Sequence, residues 1–78
     1  MDNIHQVEVV IHVDEVLSEE QRAALVANLQ GHDGVEHARF TTGRDHLMLI
    51  DYDSNKLHTT EVLGYVRQEN VNAELIGI

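Results

Sequence analysis

The sequence predicts an α+β fold: a four-stranded antiparallel sheet with two helices on one face, in the chain order β-α-β-β-α-β. Three observations lead there. Val7, Val9, Ile11 and Val13 alternate with Gln6, Glu8, Val10 and His12, the period of a half-buried strand. Leu25 and Leu29 lie one helical turn apart behind the polar start Ser18-Glu19-Glu20-Gln21, the pattern of an amphipathic helix. The two-residue alternation then returns on both sides of Thr42-Gly43, as in a hairpin. With 78 residues, these elements must share a single core in one domain, near the size where such a core is only just sufficient.

In order along the chain, the first strand is expected over residues 5–13, with its valines and Ile11 turned to the core. Residues 14–17 cross over, and the first helix runs from Ser18 to the glycines of Gly31-His32-Asp33-Gly34, which end it. The second strand spans residues 35–41, with Ala38 and Phe40 inward and His37 and Arg39 outward. Thr42-Gly43-Arg44-Asp45 makes the turn, with glycine available for a positive φ. The third strand spans residues 46–53 and puts Met48, Ile50 and Tyr52 on one face, Leu47 and Leu49 on the other. After the loop Asp53-Ser54-Asn55, Thr59 or Thr60 is expected to cap a second helix that runs to about Glu69 with Val62, Leu63 and Val66 as its apolar stripe. Gly64 inside that helix costs about 1 kcal/mol relative to alanine, which implies close packing there. Residues 70–76 form the last strand. This is the split βαβ, ferredoxin-like arrangement, with expected strand order 4-1-3-2 and one sheet face uncovered.

Charge and composition exclude several functions. Five Lys and Arg against 14 Asp and Glu give a net charge of -9, a field that repels phosphate backbones and anionic lipid, so neither nucleic acid nor membrane is expected as a partner. There is no cysteine, which excludes disulfides and thiolate metal sites within the chain. Neither a spanning apolar run nor a signal peptide is visible, and a cytoplasmic location is expected.

The joint spacing of several short elements carries a resemblance. Ile11 and Val13 lead through Ser18 and Gln21 to Leu25, Leu29 and Gly34-Val35; then come Ile50-Asp51-Tyr52-Asp53, Leu57-His58-Thr59-Thr60-Glu61-Val62, Asn70-Val71 and Ala73. In this register the chain resembles the heavy-metal-associated domain of metallochaperones and metal-pumping ATPases. The resemblance implies a single ferredoxin-like domain over residues 1–78. It also places the family's C-x-x-C metal pair at positions 18 and 21, where this chain has Ser18 and Gln21. The family's glycine and methionine before that pair are here Glu15 and Val16, and its aromatic after the second helix is Val71. Soft thiolates select Cu(I), and serine and glutamine cannot replace them, so the family's metal site is lost. Ser-x-x-Gln is instead a capping box, in which each side chain bonds the other's backbone N–H.

Two constellations remain as candidate sites. Six histidines, at 5, 12, 32, 37, 46 and 58, offer imidazole ligands for zinc or copper. No pair has helical metal-site spacing, and His12 and His37 are the candidates because both face the uncovered side of the sheet, although the expected order 4-1-3-2 puts them on strands separated by the third. Val10, Leu47, Leu49 and Ile76 form an apolar cluster on that same face, rimmed by Glu8, His12, His37 and Arg39, and such a cluster suggests an interface with a second copy or a protein partner. Asp14, Glu15, Glu19 and Glu20 group at the first loop, where they complement the helix dipole; the resemblance adds partner docking at that end. Acylphosphatases share the topology but need an anion-binding arginine in this loop, which here reads Asp14-Glu15-Val16-Leu17. No catalytic motif is present and no enzyme is expected. The expectation is a non-catalytic, stand-alone, heavy-metal-associated-like domain acting through protein interaction or self-association. The alternatives are a metal-binding or metal-sensing domain with His and carboxylate ligands, and a small-molecule regulatory domain at a subunit interface.

Overall fold

A computed structural model of the protein describes residues 6–76, the side chains of Arg44 and Asp45 excepted. The elements follow the expected order: β1 (Gln6–Val13), α1 (Glu19–Gln30), β2 (Val35–Thr41), β3 (Arg44–Asp53), α2 (Thr59–Arg67) and β4 (Ala73–Leu75). The sheet order is β2-β3-β1-β4, which is 4-1-3-2 read from the other edge, and every pairing is antiparallel. His5, expected to open the first strand, lies outside the described residues.

The core lies between the sheet and both helices. Ile11, Val13, Met48 and Ile50 from the central strands close on Leu29 of α1 and on Val62 and Val66 of α2, all fully buried. No buried polar or charged residue is found among the described residues, so the core rests chiefly on apolar burial. Val7, expected inward with its neighbours, is 37% exposed and lies on the part of β1 that β4 does not pair with.

Several boundaries differ from the sequence expectation, each for a local reason. The hairpin is tighter: β3 starts at Arg44, Thr41 pairs with Arg44, and Gly43 takes φ 77°, which glycine adopts without a Cβ penalty. The N-cap of α2 is His58 rather than Thr59 or Thr60, because the Thr59 hydroxyl is engaged with the Tyr52 hydroxyl. Glu61 instead accepts from the His58 N–H at 2.7 Å. The second helix stops at Arg67 rather than near Glu69, and Asn70 turns the chain with φ 65°.

The last strand is only three residues long. Before it, the Asn72 N–H donates to the Glu15 carboxylate at 2.9 Å and the Asn72 carbonyl accepts from Asp14 at 2.8 Å. These bonds tie the segment to the first loop. Gly64 is not close-packed: a Cβ there would meet nothing within 4 Å. Gly34 is the glycine the fold requires, with φ 99° and the Leu57 side chain 2.9 Å from where a Cβ would stand.

Candidate functional site

The start of α1 is built from local hydrogen bonds. Ser18 holds an extended N-cap conformation; its Oγ accepts from the Gln21 N–H at 3.1 Å, and Gln21 Oε1 accepts from the Ser18 N–H at 2.8 Å. The capping box is complete, and Glu19 and Glu20 occupy the first turn beside it, complementing the positive helix end. Around it, Arg22 Nη1 donates to the Leu17 carbonyl at 2.7 Å, and Glu15 is bound to both the backbone and the side-chain N–H groups of Asn72. An open groove of about 420 Å³ runs beside this loop, between Leu17, Leu25 and Val71, with Val16 at its rim. Val16 is 88% exposed.

The uncovered sheet face is organised in cross-strand rows. Val10 pairs with Leu49, and Leu49 with Arg39; on the other side of Val10, the Ile76 N–H donates to the Val10 carbonyl at 3.0 Å. Ile76, Val10 and Leu49 therefore make one apolar row that ends at Arg39. The row on one side pairs Glu8 with Asp51 and Asp51 with His37, and the row on the other pairs Glu74 with His12 and His12 with Leu47. Val10, Leu47 and Leu49 are half-buried, and Ile76 is 41% exposed. The four apolar residues singled out from sequence thus share one face.

The two candidate histidines share that face but not a site. His12 stands opposite Leu47 and His37 opposite Asp51, so β3 and four positions along it separate them. The groups that do gather around His12 are carboxylates. Its Nδ1 lies 2.7 Å from Glu74 Oε2 and 3.0 Å from Asp14 Oδ1, so that nitrogen carries the proton shared between them. The hydrogen bond to Glu74 holds the His12 pKa above the ordinary histidine value, Asp14 adds to this, and partial desolvation opposes it. One potential ligand atom from each of the three residues lies within 4.8 Å of the others.

His46 completes this corner. Its ring stacks on that of His12 with centroids 5.6 Å apart and 17° between planes. Its Nδ1 lies 2.7 Å from the Val13 carbonyl; because a carbonyl only accepts, Nδ1 carries the hydrogen of that bond. Of the other histidines described, His32 stacks on Tyr65 at 3.8 Å and His58 begins α2.

Asp14 and Glu74 are the neighbours of His12 that the sequence did not bring together with it. His12-Val13-Asp14 carried a signal, since two-residue spacing along a strand returns to the same face. Glu74 carried none without the register of β4 on β1.

No protein-family model matches the chain, and no curated protein matches it. Solved structures do. The copper-binding domain of HMA7, a P-type ATPase, superposes with a TM-score of 0.80 at 14% identity, covering 90% of this chain and 93% of that one. Oxidized MerP from Ralstonia metallidurans CH34 gives 0.80 at 10% identity, over 92% and 99%. The Cu(I)-loaded first domain of the human copper chaperone for SOD1, CCS, gives 0.73 at 19% identity, over 92% and 94%. At such identities the fold is what is shared: this chain has the ferredoxin-like fold of copper-binding heavy-metal-associated domains, and it has no cysteine.

Proposed function

We propose that this chain is a non-catalytic docking domain, a heavy-metal-associated fold that binds a partner protein through its uncovered sheet face. The observation that carries this reading is the apolar row Ile76, Val10 and Leu49, with Leu47 beside it, on the face that neither helix covers. Exposed sheet faces are ordinarily polar, and apolar residues continuous across three strands mark a contact surface. The capping box supports the same reading from the other side, since the helix start, where the resemblance puts a metal pair, is filled by Ser18 and Gln21 bonding each other.

Charge selects the partner. Glu8, Asp51 and Glu74 flank the apolar row, and the whole chain carries -9. The complementary surface is an apolar centre ringed by lysine and arginine. A second copy would set its own Glu8, Asp51 and Glu74 against this face and would bring together two chains of net charge -9, so a homodimer is the less favoured occupant.

The test is capture of the partner by the full chain in chelator-containing buffer, followed by carbodiimide cross-linking of the purified complex. Cross-links from Glu8, Asp51 or Glu74 to partner lysines are expected, and affinity should fall with salt. Leu49→Asp should weaken binding about tenfold or more, since burying a leucine is worth about 1.5–3 kcal/mol. Cross-links confined to Glu15, Glu19 and Glu20 would move docking to the first loop. A sedimenting dimer abolished by Leu49→Asp would make the second copy the occupant.

A further inference from the structure

We infer that His12, Asp14 and Glu74 form a binding site for a divalent transition-metal ion, with the His46 ring stacked on His12 to hold it in place. The inference rests on observations other than those behind the docking reading, although Glu74 borders both surfaces, and it places the ion at a different point of the fold from positions 18 and 21.

The donor set is the first argument. One imidazole nitrogen and two carboxylates suit zinc, nickel or Cu(II), whereas Cu(I), which needs soft sulfur ligands, is excluded. Two carboxylates converge on one imidazole nitrogen, and among the described residues no lysine or arginine pairs with either. The corner therefore holds more negative charge than one imidazolium neutralises, and a divalent cation would balance it.

Geometry is the second argument. The separations of 2.7 and 3.0 Å around His12 Nδ1 are close to the spacing of adjacent ligands in a metal sphere. Bonds of about 2.0–2.2 Å in tetrahedral geometry set ligand atoms about 3.4 Å apart. Replacing the shared proton with an ion opens these two separations by about 0.4–0.7 Å. The backbone holds it in place: His12 and Glu74 are a direct cross-strand pair, and the Asp14 N–H is bonded to the Asn72 carbonyl at 2.8 Å.

His46 is the third argument. Groups packed around a metal ligand fix its orientation. The His46 ring lies against that of His12 and is itself held by the bond from its Nδ1 to the Val13 carbonyl.

The test is calorimetric titration of the full, tag-free chain with Zn²⁺ after chelator treatment. One equivalent should bind with a micromolar or lower dissociation constant. His12→Asn should abolish binding. Glu74→Gln and His46→Gln should each weaken it about tenfold or more, while His58→Asn should leave it unchanged. All are at partly or fully exposed positions, and circular dichroism confirms that each variant is folded. For any variant that is not, the wild-type imidazole resonances give the answer without substitution, with His12 and His46 expected to shift and His58 to stay. No saturable binding below millimolar Zn²⁺, unchanged affinity in His12→Asn and Glu74→Gln, or shifts confined to His37 or His58 would each overturn the inference. Because docking is measured in chelator, failure here leaves that reading standing.

Discussion

The start of α1 and the sheet corner at His12 lie at opposite ends of the same short loop, and they use polar residues in opposite ways. At the helix start, Ser18 and Gln21 are three positions apart and each satisfies the other. At the corner, the groups come from positions 12, 14 and 74, and two carboxylates converge on one imidazole nitrogen. The first arrangement closes on itself and strengthens the fold. The second leaves acceptor capacity and negative charge over, which can serve a ligand. A polar residue is thus better judged by how completely its neighbours satisfy it than by where relatives of the fold keep their chemistry.

The comparison breaks first where stability is measured. Replacing both Ser18 and Gln21 by alanine should destabilise the protein by about 1–2 kcal/mol. For a domain of this size that lowers Tm by about 4–8 °C per kcal/mol, as thermal unfolding followed by circular dichroism would show, while Zn²⁺ affinity stays unchanged. A double variant as stable as wild type would mean that the cap is not what these residues are for.

Gly64→Ala gives the converse. With nothing within 4 Å of its Cβ position, the substitution should stabilise the protein by about 0.5–1 kcal/mol, again without touching the corner. Urea unfolding measures it, and a loss of stability would show that the glycine packs against something after all.

The smallest effect sharpens the corner itself. In metal-free buffer, His12 should titrate above an ordinary histidine, and Glu74→Gln should bring it down, since the bond to Glu74 is the largest cause of the shift. A pKa raised on folding stabilises fully below the unfolded-state value near 6.5, and that stabilisation disappears as pH rises through the folded-state value. Imidazole resonances followed by pH titration report this, and an unshifted His12 in wild type would remove Glu74 from its surroundings.

Much of the fold was legible because its signals are local. Two-residue alternation placed β1, β2 and β3, and the Ser-x-x-Gln spacing announced the capping box. What escaped was decided across the chain. Thr59 does not cap α2 because Tyr52 takes its hydroxyl, and the last strand is short because Glu15 holds the backbone of Asn72. For the candidate site, periodicity told which residues share the open face but not which row they occupy. His12 and His37 were therefore grouped together, while Glu74, 62 positions from His12, becomes its neighbour only through the β1–β4 register.

The most direct measurement is a Zn²⁺ titration of the ¹⁵N-labelled chain followed through its backbone amides. Shifts centred on His12, Asp14, His46 and Glu74 are expected, with the amides of Ser18 and Gln21 unmoved in their capping bonds. Shifts centred on residues 15–21, with the corner silent, would contradict this and return the chemistry to the helix start.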